Sequence, residues 1–281
     1  MTFDPRPDPT SIEIDLLLEA LYRRCGHDFR SYARSSIERR IRHCMADHGI
    51  ATIADMIPRV LHDRDFGGQL IRYFSIAVTE LFRDPSFYLA VRENVIPLLK
   101  TWPRVKIWHA GCASGEEVYS LAIMLKEEGV YDRATIHATD FSETALARAR
   151  DGIYELAKMQ EATRSYQHAG GKGSFSEYYH ARYDAAVMDA SLKERIVFSN
   201  HNLATDSVFG EMQLIFCRNV LIYFNRDLQD RVLGLFTQSL VHGGFLCLGT
   251  KENLQFSAVA GDFDTVDDTS RIYKRRGTTW E

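Results

Sequence analysis

The first third of the chain carries apolar residues at helical spacing. In the segment IEIDLLLEALYRRC, one stripe consists of Ile14, Leu17, Leu18 and Leu21. In SSIERRIRHCMADHGI, the matching stripe consists of Ile37, Ile41, Cys44 and Met45. The segments IADMIPRVLHD and GGQLIRYFSIAV have a similar character. The pattern therefore predicts only helices from Ser11 to about Phe82.

Local signals predict where some of these helices begin and end. Ser35 and Glu38 have the spacing of a capping box, so Ser35 is expected to be an N-cap. Gly49 is a plausible helix stop, because glycine adopts the left-handed conformation at helix ends. Pro58 is expected either to break its helix or to occupy the first turn.

Short apolar runs replace the helical spacing from Val105 onward. These runs are VKIWHA, ATIHATD, RIVFSN, MQLIFC and GFLCLG. Helical stretches lie between most of them, including GEEVYSLAIMLKEE, SETALARAR and RDLQDRVLGLFTQSLV. The alternation predicts an α/β fold with a doubly wound parallel sheet. The tail FDTVDDTSRIYKR predicts an antiparallel hairpin at the sheet edge.

Three regions follow from these patterns. We predict an N-terminal helical domain over 1–84 and an α/β domain over 85–281. Within the second domain, about forty residues interrupt the alternation of strands and helices. They contain AGGKGSFSEYYHARYD, whose glycine turn and tyrosine-rich alternation predict a small, partly β insert over 152–192.

Composition excludes several classes of protein. The net charge of −4 gives no reason to expect nucleic acid as a partner. No signal peptide and no apolar run of the roughly 20 residues of a membrane span is present, so we expect a cytoplasmic protein without membrane insertion. The five cysteines form no CxxC pair, and the histidines are scattered, so no metal site is expected. Cys112 and Cys217 are expected to be filler thiols.

The segment HAGCASGEEVYSLAIML (109–125) passes from a predicted strand through a glycine turn into a helix. The N-terminus of such a helix offers free N–H groups that suit a phosphate. However, Gly111 and Gly115 lack the GxGxxG order, and Glu116 and Glu117 would repel a pyrophosphate. A cationic nucleoside without phosphate, such as S-adenosylmethionine (SAM), fits better. The other interpretation is that acidic residues simply favour a first helical turn.

Polar residues end the neighbouring predicted strands, at the sheet edge where α/β proteins bind ligands. Asp140 is placed to accept the two ribose hydroxyls, since Ser142 is available as the helix cap. Asn202 is placed to read an adenine edge. Arg218 and Asn219 directly follow the fourth strand, where a buried arginine is costly unless it is paired.

Four of these segments together resemble the CheR family of chemotaxis receptor methyltransferases. They are TELFRDPSFY, WHAGCASGEEVYS, ATDFSETALARAR and FCRNVLIYF, and ERRI (38–41) is also similar. The segments stand in the order of the family, and the resemblance covers nearly the whole chain. It implies a Rossmann-like class I methyltransferase domain that transfers methyl from SAM to receptor glutamates.

The resemblance also implies the residues of the site. The cofactor contacts carried over are Thr79, Arg83, Glu117, Asp140, Asn202, Leu203, Arg218 and Asn219. Many members have asparagine where this chain has Ala77, so Ala77 is expected to be a weak contact. Arg83 and Tyr223 are the catalytic candidates. A glutamate is already ionised at neutral pH, so positioning by an arginine is what remains; Arg83 is the first choice and Arg218 the second.

The partner is expected to be the cytoplasmic domain of a chemoreceptor or another acidic helical signalling protein, bound by a monomer. Residues 1–84 hold twelve arginines and no lysine, and the arginines crowd between Arg30 and Arg42. They form either a docking face for carboxylates or a solvated helix face. Two alternative functions stay open, a carboxyl methyltransferase of a non-receptor signalling protein and a SAM-sensing module without turnover. A nicotinamide dehydrogenase and a nucleic-acid methyltransferase are disfavoured.

Overall fold

The computed structural model describes residues 8–75 and 79–277 and divides into two units. The first comprises Met1–Ile76 and Tyr223–Leu228, and the second comprises Ala77–Ile222 and Gln229–Glu281. The division therefore lies before the predicted boundary at 84. The reason is that Leu81 and Phe82 are buried in the core of the second unit.

The first unit is helical, as the apolar spacing predicts. Its helices are α1 (Pro9–Cys25), α2 (Arg34–His48), α3 (Met56–His62) and α4 (Arg64–Phe74). The predicted stripe of α1 is buried at all four positions. In α2, Met45 is only partly buried, whereas the other three residues of its stripe are in the core.

The capping-box prediction for α2 is wrong. The N-cap is Ala33, which has no side chain to accept a hydrogen bond, and Ser35 lies inside the first turn. Contacts with other elements of the unit decide this start, because the Ala33 N–H donates to the Tyr223 carbonyl. Gly49 ends α2 at a φ of 61°, as predicted. Pro58 lies in the first turn of α3.

The second unit is built on a seven-stranded sheet of order β6-β2-β1-β7-β8-β10-β9. Its strands are β1 (Val105–Ala110), β2 (Ala134–Asp140), β6 (Ile196–Asn200), β7 (Met212–Cys217), β8 (Leu240–Leu248), β9 (Phe263–Asp267) and β10 (Ile272–Arg275). The first five strands in this order pair in parallel, and β10 pairs antiparallel with both β8 and β9. This confirms a mostly parallel sheet with an antiparallel edge hairpin.

Between residues 79 and 277, which the structure describes, six α-helices accompany this sheet. They are α5 (Pro85–Asn94), α6 (Ile96–Leu99), α7 (Glu116–Glu127), α8 (Glu143–Asp151), α9 (Met159–His168) and α10 (Arg226–Ser239). The segment predicted as helix up to Val241 ends at Ser239, and β8 begins directly at Leu240. No helix of the described residues is both long and apolar enough to cross a membrane.

A three-stranded antiparallel sheet, of order β3-β5-β4, forms within 152–192. Its strands are β3 (Ile153–Glu155), β4 (Tyr179–Arg182) and β5 (Ala185–Met188). The carboxylate of Glu127 ties this region to α7, because it accepts hydrogen bonds from the Tyr166 hydroxyl and from the Lys172 backbone N–H at 3.0 Å. The insert is therefore joined to α7 through a polar contact whose acceptor side chain, Glu127, is buried.

Candidate active site

The glycine turn between β1 and α7 needs both of its glycines. Gly111 has a φ of 73°, and a side-chain carbon there would lie 2.6 Å from a methyl group of Val220. Gly115 has a φ of 91°, and its added carbon would lie 2.8 Å from the side chain of Ala149. Backbone conformation and close packing together exclude any L side chain at either position. The turn is therefore shaped by α8 and by the loop after β7.

The carboxylate of Glu117, just after the glycine turn, is paired with buried residues in and directly after neighbouring strands. Its side chain is 6% exposed and forms an ion pair with Arg218, which follows β7. Its other oxygen lies 3.1 Å from Nε2 of His109 in β1. Burial opposes ionisation, but Arg218 and His109 outweigh it and lower the pKa of Glu117 to about 2. The carboxylate is thus a fixed negative charge beneath the turn.

Both terminal nitrogens of Arg218 are paired with carboxylates. It is 4% exposed, and its second terminal nitrogen lies 2.7 Å from the carboxylate of Asp84. Its guanidinium stacks on the Phe87 ring at 3.9 Å. Two carboxylates therefore take up both terminal nitrogens of Arg218, while its buried Nε has no hydrogen-bond partner among the described residues, so neither terminal nitrogen is left over for a substrate carboxylate. Arg218 is therefore better suited to organising the pocket than to binding the substrate.

Arg83 is in the opposite situation. Its side chain is partly buried, and its backbone carbonyl lies 3.5 Å from the Arg218 guanidinium. Among residues 8–75 and 79–277, no carboxylate forms an ion pair with the Arg83 side chain. The neighbouring Asp84, which has a left-handed φ of 54°, is taken up by Arg218. The positive charge of Arg83 is thus not neutralised by a described carboxylate, whereas that of the neighbouring Arg218 is.

Asp140, at the end of β2, is held by backbone donors. One oxygen accepts from the Ala113 N–H and the other from the Ser142 N–H, both at 2.9 Å. Ser142 is the N-cap of α8, as predicted, and accepts from the Ala145 N–H. Burial raises the pKa of Asp140, while the backbone N–H groups oppose the rise. The carboxylate is thereby fixed at the edge of the turn, where the prediction places the ribose.

The loop after β6 carries Asn202 and Leu203. The side-chain oxygen of Asn202 accepts from the Ala204 N–H at 3.0 Å, and the Asn202 N–H donates to Asp206 at 2.9 Å. Arg231 of α10 donates to the carbonyls of Leu203 and Asp206, at 2.6 and 2.9 Å. Asn202, the predicted adenine contact, therefore lies on a loop that is held by hydrogen bonds within the loop and from Arg231.

Asn219 begins a segment that is held by a residue outside the predicted site. Its φ is 60°, and its N–H donates to the carboxylate of Glu252 at 3.1 Å. Glu252 is 5% exposed and follows β8. A signal for it existed in the sequence, because Glu252 is a charged residue that closely follows the apolar run GFLCLG. The same pattern at Arg218 led to a prediction.

Three further predicted residues have different outcomes. Thr79 lines a pocket of about 530 Å³ together with Ser114 and Glu116, next to the glycine turn. Tyr223 belongs to the helical unit, where the guanidinium of Arg40 lies 4.9 Å from its ring centre. Ala77 lies outside the described residues.

The charges around the turn test whether the site fits the predicted cofactor. Asp84, Glu117 and Asp140 contribute three carboxylates, whereas Arg218 is the one buried arginine or lysine that pairs with any of them in the described part of the chain. Cys112 and Cys217 add no nucleophile, because burial raises the pKa of both thiols. This donor set suits a cationic sulfonium cofactor and disfavours a pyrophosphate. No cluster of described residues could hold a metal ion.

Comparison with known families identifies both parts of the chain. Residues 12–75 match the all-alpha domain of CheR methyltransferases, and residues 77–272 match their SAM-binding domain. The chain belongs to the CheR methyltransferase family. SAM is therefore its cofactor, and the protein is a SAM-dependent methyltransferase of the chemotaxis type.

Individual relatives of this chain also carry the names of methyltransferases. A protein of Pseudomonas putida named as the methyltransferase Cher3 is 52% identical, over 95% of this chain and 97% of its own length. A chemotaxis protein methyltransferase of Listeria monocytogenes is 30% identical, over 82% of this chain and 85% of its own. Another, from Vibrio cholerae, is also 30% identical, over 73% of this chain and 76% of its own.

Proposed function

We propose that this methyltransferase esterifies glutamate side chains of chemoreceptor cytoplasmic domains. The observation that carries the proposal is the contrast between two adjacent arginines. Arg218 is neutralised by Glu117 and Asp84, whereas Arg83 is partly buried and has no carboxylate partner among the described residues. A guanidinium without a carboxylate partner, on the residue whose backbone adjoins Arg218, is suited to a carboxylate acceptor. Two relatives are named chemotaxis protein methyltransferases, which supports a protein of chemotaxis signalling as the bearer of that carboxylate.

The chemistry asks for positioning and little else. SAM supplies, when bound, a methyl group on a positively charged sulfonium. A glutamate side chain is ionised at neutral pH, so the acceptor oxygen is a nucleophile without a general base. Arg83 orients the acceptor by one contact that leaves an oxygen lone pair free, because a tight bidentate pair would weaken the nucleophile. Asp140, Asn202 and Asn219 would hold the nucleoside.

The helical unit supplies the proposed docking surface. Arg30 and Arg34 are taken up by ion pairs with acidic residues of the same unit. Arg39 and Arg42, by contrast, are exposed, and Arg42 lies 3.9 Å from Glu38. These two arginines are therefore the members of the cluster best able to meet an acidic receptor helix.

Arg40, on the same helix, is buried and distinctive. One of its terminal nitrogens donates to the Phe74 carbonyl at 2.9 Å, and the other has no hydrogen-bond partner among the described residues. Burial lowers the pKa of Arg40 to about 10. Its guanidinium lies over the ring of Tyr223. The Arg40–Tyr223 contact lies within the helical unit, and the catalytic role of Tyr223 stays what the resemblance implies.

Methyl transfer followed by mild alkali tests the proposal. Purified protein and radiolabelled SAM are incubated with membranes of the source cells, and labelled bands are then treated with alkali. Volatile methanol from a chemoreceptor band is expected, since carboxyl methyl esters hydrolyse under these conditions. Alkali-stable label would contradict carboxyl methylation. Alkali-labile label on another band would favour a non-receptor signalling protein, and no label despite tight SAM binding would favour a sensing module.

A further inference from the structure

Glu252 is a buried carboxylate that accepts hydrogen bonds from backbone N–H groups. Among the described residues, its donors at hydrogen-bond distance are the N–H groups of Asn219, Val220, Ile222 and Gly249, at 3.1, 2.9, 3.3 and 2.6 Å. Each oxygen accepts two of them. No described cation forms an ion pair with the side chain of Glu252, which is 5% exposed. The side chain of Glu252, in the loop after β8, thus hydrogen-bonds the backbone of the loop after β7.

Such an arrangement is costly, so it needs a reason. Burial raises the pKa of Glu252, and the backbone N–H groups oppose the rise. An apolar residue would avoid this cost but would leave the four N–H groups without an acceptor. Three of those groups lie in the segment 219–222, which begins with Asn219 at a φ of 60°. The carboxylate therefore stabilises a backbone conformation that the segment does not favour alone.

Gly249 shows how closely the two loops meet. A side-chain carbon at this position would lie 2.8 Å from the Asn219 nitrogen and 2.8 Å from a carboxylate oxygen of Glu252. The glycine is needed here for close approach. The two loops are therefore packed too closely at Gly249 to accommodate a side chain without moving apart.

We propose that Glu252 is a positioning residue for the cofactor. By holding the backbone of 219–222, it fixes the place from which Arg218 and Asn219 reach the cofactor pocket. The inference rests on the proposed role of Asn219 as a cofactor contact. It does not depend on which protein accepts the methyl group, so it can fail independently of the receptor proposal.

The test is the isosteric substitution Glu252→Gln. The glutamine amide replaces one acceptor oxygen with a donor, so two backbone N–H groups lose their acceptor. We expect the Kd for S-adenosylhomocysteine and the KM for SAM to rise about tenfold, as for a lost buried hydrogen-bonding contact. The kcat at saturating SAM is expected to stay within about threefold of wild type, because Arg83 is untouched.

Two further variants make the result decisive. Val105→Ala removes buried apolar volume at the opposite end of β1 and should lower the melting temperature without changing the Kd. Gly249→Ala leaves the carboxylate in place but presses on it, and should raise the Kd as Glu252→Gln does, even if the latter fails to fold. A wild-type Kd in folded Glu252→Gln or in Gly249→Ala would overturn the proposal. So would an equal rise in Val105→Ala, which would show a general effect of stability.

Discussion

Arg83 and Arg218 show how burial and neighbours divide roles between two identical side chains. Arg218 is buried between the carboxylates of Glu117 and Asp84 and the Phe87 ring. A buried ion pair of this kind is expensive to disrupt, so it is a structural element of the pocket. Arg83 is only partly buried, and no carboxylate in the described part of the chain forms an ion pair with its guanidinium.

Replacing Arg83 with alanine should separate catalysis from cofactor binding. We expect turnover to fall on the order of a hundredfold, because the acceptor carboxylate loses its orienting contact. The Kd for S-adenosylhomocysteine should change little, since Arg218 and Asp140 are untouched. Stopped assays at saturating SAM, together with titration calorimetry, measure the two quantities. Arg83→Lys is the matched control and should retain part of the turnover; full turnover in Arg83→Ala would show that Arg83 is not the orienting group.

The Glu117 carboxylate gives a prediction about pH. Its pKa is lowered to about 2 from a usual 4.5, so its ionised form stabilises the folded state. That contribution is complete above about pH 4.5 and is lost as the pH falls toward 2. Glu117→Gln should lower the free energy of unfolding at pH 7 on the order of 3 kcal/mol, because Arg218 loses a buried partner. The gap to wild type should close in acid.

Urea titrations from pH 7 to pH 3 measure this gap. Glu116→Gln is the matched control on the same helix turn. Burial raises the pKa of Glu116, so removing its charge should cost little at any of these pH values. Parallel stability curves for wild type and Glu117→Gln across the acid range would contradict the ion-pair interpretation.

At the scale of single residues, the sequence pattern places Asp140 at the end of a strand and Arg218 directly after one, and the structure has both there. Ser142 is confirmed as the helix cap, whereas the cofactor contacts of Asp140 and Arg218 stay predictions. The position of Glu252 after an apolar run is a signal that the sequence contains, but its role depends on backbone N–H groups from a loop thirty residues away in sequence. Pairing across such distances is set by the sheet order, which the local pattern does not contain.

At the scale of elements, the loops at the carboxyl edge of the sheet are held by side chains from neighbouring elements. Arg231 of α10 holds the loop after β6, and Glu252 holds the loop after β7. Tyr154 of the insert donates to the Ser114 carbonyl in the glycine turn, at 2.8 Å. The pocket therefore has little conformational freedom left to lose when it binds its cofactor.

Removing the Arg231 side chain should loosen the loop after β6. We expect Arg231→Ala to raise the Kd for SAM by at most about thirtyfold, because the two lost hydrogen bonds contribute about 1 kcal/mol each. The kcat at saturation should be nearly unchanged. Arg275→Ala is the matched control, because Arg275 also donates to a backbone carbonyl, that of Leu240 at the start of β8. Equal effects of both substitutions on the Kd would contradict a specific role for Arg231.

The limits of element prediction have physical causes. β1, β2 and β7 coincide with the predicted apolar runs, because buried parallel strands are nearly continuous in apolar residues. The change from α10 to β8 at Leu240 was missed, since apolar Leu240 and Val241 fit either element. The start of α2 was misplaced because contacts of Ala33 outweigh the local capping preference.

At the scale of the whole molecule, a net charge of −4 conceals a local concentration of arginine. Ion pairs within the helical unit use part of it, at Arg30 and Arg34. The exposed remainder, Arg39 and Arg42, is what a long-range encounter with an acidic partner would use. Sequence alone showed the crowding, but only the structure separates the paired arginines from the exposed ones.

Charge reversal tests the docking surface. The double substitution Arg39→Glu and Arg42→Glu should raise the KM for the protein substrate about tenfold, through repulsion of an acidic surface. The Kd for S-adenosylhomocysteine should stay at its wild-type value, and the effect should shrink at high salt. Arg23→Glu, at an equally exposed position of α1, serves as the control. Equal losses in substrate KM and cofactor Kd would exclude a docking role.

The most direct test of the central claim is to locate the transferred methyl group. The full-length protein, SAM and a purified chemoreceptor cytoplasmic domain are incubated together, and the receptor peptides are mapped by mass spectrometry. We predict methyl esters on glutamate side chains of the receptor, and their absence with Arg83→Ala. Methylation of another residue type, or an unmodified receptor in the presence of a SAM-binding protein, would contradict the claim that this site esterifies receptor glutamates.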